Sequence, residues 1–116
     1  MAGFGFRPAA TTAALAEVLA RAGAGAADAL ATAPDKAGAP AIRQLAADLG
    51  LPLLAVEVAG IATPTQSPRV IARYGTGSLA EAAALAALAP GARLLGLRTQ
   101  SLDGMATCAI AEGDPA

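Results

Sequence analysis

The sequence predicts an α/β protein, a three-layer α/β/α sandwich around a mostly parallel five-stranded sheet, in a single domain over residues 1–116. Three observations lead there. A chain of 116 residues suits one domain and buries enough surface to hold a core without metal or disulfide staples. From residue 2 to residue 56, strand-like and helix-like segments alternate, the pattern of parallel strands joined by right-handed crossovers. Near the C-terminus, two apolar segments flank Ser101-Leu102-Asp103-Gly104, a hairpin turn that makes the last strand antiparallel to the one before it.

Residues 2–6 (Ala-Gly-Phe-Gly-Phe) read as the first strand, whose glycines admit either close backbone packing or a ligand. Arg7-Pro8 ends it. Thr11 or Thr12 caps a helix that stops at Gly23, and Leu15, Val18, Leu19 and Ala22 fall at i, i+3, i+4 and i+7 on one apolar face. Residues 28–33 read as a second strand of weak β-propensity, followed by a turn over Pro34-Asp35-Lys36-Ala37-Gly38. Pro40 opens a helix that carries Ile42, Leu45 and Leu49 inward and ends at Gly50. Residues 52–56 (Pro-Leu-Leu-Ala-Val) are the clearest buried strand. After a long connection, Ser67-Pro68 opens a short helix to Tyr74, and Gly75-Thr76-Gly77 breaks it. Ser78 opens another helix to about Ala89. Residues 92–99 read as the fourth strand and Met105–Ala111 as the fifth, with a frayed tail from Glu112 to Ala116. The expected strand order is 3-2-1-4-5, with a switch point between strands 1 and 4. Ligands of open α/β sheets bind outside the carboxyl ends of the strands at such a point. Arg7, Asp35, Lys36 and the stretch from Thr63 to Ser67 lie on the loops of that edge.

Composition excludes several functions. The net charge of −1 supplies no field for nucleic acid or an anionic membrane, and with 3% aromatic residues there is no base-stacking platform. The absence of histidine excludes a Ser-His-Asp or Cys-His unit from this chain alone. With Cys108 as its one cysteine, the chain has no intrachain disulfide and no multi-thiolate zinc site, so no metal and no cofactor is expected. Cys108 sits in an apolar strand without a base, which suits inert packing. No apolar run reaches the roughly 18 residues that span a bilayer, and no basic start precedes an apolar run at the N-terminus. A cytoplasmic location is expected.

The remaining candidates are charged or helix-opening. Arg7 at a strand end, beside Gly3 and Gly5, suits either an anion or a solvated strand end, and Gly3-Phe4-Gly5-Phe6 lacks the third glycine of a dinucleotide fingerprint. Lys36, the only lysine, and Asp35 beside it read first as a solvated surface pair, with Asp35 capping the next segment, and otherwise as a site in which Lys36 meets a carboxylate or acts as a base when desolvated. Arg69 and Arg73, one helical turn apart, suit a ligand with several carboxylates or a wet helix face. Gly75-Thr76-Gly77-Ser78 reads two ways. Its backbone N–H groups can cradle an anion, or Ser78 and Glu81 form a capping box. It is not a phosphate-binding P-loop, because no Gly-Lys-Ser/Thr follows.

These residues resemble a known family nearly end to end. Gly3-Phe4-Gly5-Phe6-Arg7 is followed by Ala31-Thr32-Ala33-Pro34-Asp35-Lys36 and the stretch from Leu45 to Leu53. Thr65-Gln66-Ser67 comes next, then Gly75-Thr76-Gly77-Ser78-Leu79-Ala80-Glu81-Ala82-Ala83-Ala84-Leu85, then Asp103 to Ala111. In this order and spacing the chain resembles the CobE family of cobalamin biosynthesis, which corresponds to the C-terminal domain of CbiG. The resemblance implies a three-layer α/β/α fold and a corrin or precorrin ligand, with other enzymes of that pathway as partners. The candidate binding set is then Thr65, Gln66 and Ser67 together with Gly3, Gly5, Arg7, Asp35, Lys36, Arg69 and Gly75, Thr76, Gly77 and Ser78. CbiG proteins open the lactone of a ring-contracted cobalt-precorrin and release a two-carbon aldehyde. A chain like this lacks the rest of CbiG, so two classes of function follow. One is a carrier or accessory that binds a corrin intermediate without bond chemistry. The other is a precorrin-modifying hydrolase or isomerase, such as a lactone hydrolase, with Lys36, Asp35 or Glu81 as acid or base and helix-start amides stabilising an oxyanion.

Overall fold

The computed structural model describes residues 1–23, 25 and 27–116. Strand β1 (Ala2–Phe6) is buried along its whole length. Its side chains alternate between two unlike faces. Phe4 and Phe6 point into a core shared with Leu15, Val18 and Leu19 of helix α1 (Thr12–Ala22) and with Ile42 and Leu45 of helix α3 (Pro40–Leu49). Gly3 and Gly5 face helix α5 (Leu79–Ala86), whose sequence, LAEAAALA, is nearly all small. A Cβ on Gly3 would collide with the Ala80 carbonyl oxygen and the Ala84 nitrogen. The alanine richness thus has a structural purpose: small side chains let α5 press its backbone onto β1.

Local signals set most helix ends. Thr11 Oγ1 accepts from the Ala14 N–H at 3.1 Å to open α1, and Gly23, at φ 117°, closes it in the left-handed region where a side chain is strained. Pro40 occupies the first turn of α3. The Pro34 turn closes further than expected, into a helical turn, α2 (Pro34–Ala37), because proline is preset for a first helical position. Leu49, expected inward, is instead exposed; Ala46 takes its place in the core with Ile42 and Leu45.

Strands β2 (Leu30–Thr32) and β3 (Leu53–Ala55) add to β1 in parallel, as the alternation predicts. Strand β3 is not the buried strand its composition suggests. It is the edge of the sheet, paired with β2 alone, and Leu54 and Ala55 are exposed. Helix α4 (Pro68–Tyr74) follows the long connection.

Beyond β1 the architecture holds but the last two places in the sheet are exchanged. The order is β3-β2-β1-β6-β4. Strand β6 (Ala106–Glu112), the longest and with four consecutive buried residues from Cys108 to Ala111, lies antiparallel beside β1. The segment 92–99 forms the edge, split into β4 (Arg93–Leu94) and β5 (Thr99–Gln100). Both pieces pair with β6, but five steps from Leu94 to Thr99 face three from Ala111 to Cys108, so a two-residue bulge lies between them. Burial decides the order, because a central strand needs apolar side chains on both faces and Arg93, Leu95 and Leu97 are exposed. The tail is held as well: the Ala89 N–H donates to the Asp114 carbonyl at 2.9 Å, and Leu88 bridges to Pro115. No helix among the described residues is long and apolar enough to cross a membrane.

Candidate functional site

The carboxyl ends of parallel β1 and β2 share an edge with the amino end of β6, because β6 runs the opposite way. The chain leaves β1 through Phe6-Arg7-Pro8 and enters β6 from the Ser101–Met105 turn. The two are tied by the Arg7 N–H donating to the Met105 carbonyl at 2.9 Å. Helices α2 and α4 stand over this edge. At this edge lies an open cleft of about 410 Å³, lined by residues of β1, α2, α4 and the segments 98–100 and 104–107. Its apolar surface comes from Phe6, Val70, Leu79 and Met105, and its polar surface includes Ser67, Gln100 and Thr107.

The cleft concentrates positive charge. Arg7, Lys36, Arg69, Arg73 and Arg98, five of the eight cationic side chains, line it, and none of the nine acidic side chains does. Among the described residues, four of those five form no ion pair. The exception is Arg73, whose Nη2 lies 3.1 Å from Oδ2 of Asp35. The same oxygen accepts the Tyr74 hydroxyl at 2.8 Å. Burial, reinforced by that hydrogen bond and by the carboxylate charge, pushes the Tyr74 phenol up to about 12. Lys36 extends over the Phe6 ring, its Nζ 5.1 Å from the centroid. Burial, followed by repulsion from Arg73, holds its ammonium below the usual lysine range, with Asp35 acting in the opposite sense.

A second polar cluster lies under the cleft wall. Glu81, in the first turn of α5, is fully buried. Its Oε1 accepts from the Thr65 N–H at 3.0 Å, and its Oε2 accepts from the Thr65 hydroxyl and the Arg98 N–H, both at 2.9 Å. The expected capping box is therefore half made. Ser78 Oγ accepts from the Glu81 N–H at 3.3 Å, but the Glu81 side chain turns away to hold the 57–67 connection and the β4–β5 bulge. Those two segments deliver Ser67 and Arg98 to the cleft.

The sequence-based candidates divide accordingly. Gly5, Arg7, Lys36, Ser67 and Arg69 line the cleft, and Asp35 adjoins it through Arg73. Gly3 packs against α5. Thr65 is turned to Glu81, and Gln66 donates to the Thr63 carbonyl at 2.7 Å. Gly75-Thr76-Gly77-Ser78 is no open cradle. Thr76, Gly77 and Ser78 are buried, Thr76 Oγ1 donates to the Ile61 carbonyl, and a Cβ on Gly77 would collide with the Thr65 carbonyl oxygen. Arg98, Gln100 and the Met105–Thr107 wall escaped the sequence reading. The signal for them was the antiparallel last strand, whose preceding turn must fall on the same edge as the carboxyl ends of the parallel strands. Cys108 is buried beside β1, and burial pushes its thiol up to about 12.

The family described as cobalamin synthesis G C-terminus matches residues 1–111. The chain belongs to this cobalamin biosynthesis family. Two solved structures agree with it across nearly the whole chain. One is the crystal structure of CobE, a protein from the cobalamin (vitamin B12) biosynthetic pathway, at 31% identity and a TM-score of 0.74, over 95% of this chain and 87% of that one. The other is cobalamin biosynthesis protein chiG from Agrobacterium tumefaciens, at 38% identity and a TM-score of 0.72, over 97% and 96%. No curated protein matches the chain. The family match takes in every cleft-lining residue, from Gly5 to Thr107.

Proposed function

We propose that the protein binds a corrin-pathway intermediate by its carboxylates at the cationic cleft and holds it for the pathway's enzymes, without bond chemistry of its own. One observation carries the reading: five of eight cations meet at a cleft that no acidic side chain lines, in a chain of net charge −1. Like charges gathered without counter-charges cost stability, and a low-dielectric cleft focuses their field on an anion. Corrin intermediates present an apolar macrocycle rimmed by acetate and propionate groups. The cleft pairs apolar Phe6, Val70, Leu79 and Met105 with arginine forks, which suits one carboxylate-bearing edge of such a ring.

Lactone hydrolysis finds less support among the residues. Asp35 is engaged by Arg73 and Tyr74, and Glu81 is buried outside the cleft with three donors on it. Lys36 alone faces the cleft as a candidate base. The test is an equilibrium titration with a corrin bearing free carboxylates and with the same corrin fully amidated. The free acid should co-elute with the protein, shift its visible spectrum and bind more weakly as salt rises, with no change in the recovered corrin. Arg7→Ala, Lys36→Ala or Arg69→Ala should each weaken binding by about tenfold. Equal binding of the amide would refute the reading, and a hydrolysed product would favour the enzyme.

A further inference from the structure

We infer that Asp35 is a resident carboxylate that competes with the ligand's carboxylates for Arg73, and so disfavours ligands that carry too few carboxylates to displace it. The inference rests on the cationic-cleft reading above and deepens it by naming a residue that sets selectivity. Asp35 follows Pro34 in the first turn of α2, directly after the carboxyl end of β2, so its position at the cleft edge is fixed by a strand end and a proline. Arg73 lies in the last turn of α4 on the facing wall. The remaining four cleft cations form no ion pair among the described residues, whereas Arg73 already has a carboxylate.

The Asp35–Arg73 pair has the properties of a displaceable stand-in. Its side chains are 46% and 63% exposed, and an ion pair so exposed is weak. Only Oδ2 is engaged, by Arg73 and Tyr74 together, so the guanidinium is held by a single carboxylate oxygen and not by a bidentate fork. A ligand carboxylate held in place by the other cations can offer Arg73 both its oxygens, the stronger geometry. Asp35 then opposes the ligand twice, by occupying Arg73 and by placing a negative charge at the cleft edge. A ligand with few carboxylates gains too little to displace it, and one with many does.

Asp35→Asn keeps the size of the side chain and an acceptor for Tyr74 while removing the charge. It should tighten binding of a polycarboxylate corrin by about three- to tenfold. Arg73→Ala should cost about twofold in the natural background, against about tenfold for Arg69→Ala, and should remove most of the gain in the Asp35→Asn background, the mark of coupled residues. A ligand-free readout is built in, because Tyr74 is the only tyrosine and the chain has no tryptophan. Ultraviolet titration of that phenol should give an ionisation near pH 12 in the natural protein and a clearly lower one in Asp35→Asn. Failure of the natural protein to bind the carboxylated corrin would refute the function reading alone. Unchanged or weaker binding by Asp35→Asn, a loss at Arg73→Ala equal to that at Arg69→Ala, or an unmoved Tyr74 titration would each overturn the inference about Asp35.

Discussion

Glu81→Gln is the most demanding perturbation of this fold, because the buried carboxylate has no cationic partner among the described residues and is satisfied entirely by donors. It lies in the first turn of α5, where the helix dipole favours negative charge. The glutamine amide keeps the shape but offers one acceptor oxygen. Placed at the Oε2 position, that oxygen keeps the Thr65 hydroxyl and the Arg98 N–H, and the new NH₂ then faces the Thr65 N–H. Placed at Oε1 it keeps Thr65 N–H, and the NH₂ faces Arg98 N–H. Either way one backbone donor is orphaned against another donor, at roughly 1–3 kcal/mol, and the surviving bonds lose their charge assistance. Relief of the buried charge offsets part of this loss. The expected net destabilisation is about 2–4 kcal/mol, a large share of the roughly 5–15 kcal/mol of a typical domain. Equilibrium urea unfolding measures it, with an unchanged denaturant slope showing that the two states are the same. Corrin binding should weaken as well, since the orphaned segments carry Ser67 and Arg98. An unfolding free energy within about 1 kcal/mol of the natural protein's would refute the assignment of Glu81 as the tie between the 57–67 connection and the bulge.

Gly3→Ala should destabilise by about 3 kcal/mol and lower the Tm by roughly 10 °C or more, because the new methyl meets helix backbone that cannot yield. Gly38→Ala, in open space at φ −83°, should leave the Tm unchanged or slightly raised in the same scan. The Tyr74 phenol, raised from 10.0 to about 12 in the fold, favours the native state below pH 10, and this contribution is lost as pH rises through 12. Unfolding curves between those limits should fall with pH, and Tyr74→Phe should remove that part of the slope. Cys108, buried and with its thiol pushed up to about 12, should resist a thiol reagent at pH 8 until denaturant is added.

Helix faces and caps were the most legible features. The i, i+3, i+4 pattern at Leu15, Val18 and Leu19 and the stops at Gly23, Gly50 and Gly75 are local, so local chemistry decides them. What escaped was set by distant partners. An apolar run such as Leu53-Leu54-Ala55 is equally compatible with a central and an edge strand, and only the neighbours available to it decide. The order of β4 and β6 follows from competition for the place beside β1, won by the strand with apolar residues on both faces. Of the cleft lining, Arg7, Lys36 and Arg69 were visible because a strand end, a lone lysine and a helical pair are local features. Arg98 was not, since its place in the cleft depends on a bulge that no local pattern in 92–99 announces.

The turn from parallel to antiparallel pairing at β1 and β6 is what allows so spare a sequence to build a charged cleft. In an all-parallel sheet, every strand would bring only its carboxyl end to the site edge, and the amino ends would lie on the far side. Here β6 begins where β1 ends, so the Ser101–Met105 turn and the Arg98 bulge supply a wall opposite α4. The two glycines of β1 let α5 lie close beneath, which puts the first turn of that helix, with Glu81, within reach of both the 57–67 connection and the bulge. One buried acid then anchors, through backbone donors, the segments that present cations to the cleft. Anchoring by backbone N–H leaves every cleft arginine except Arg73 free of an internal carboxylate. The positive charge of the cleft is therefore held in place without being neutralised, and Asp35, paired with Arg73, falls at the cleft's rim.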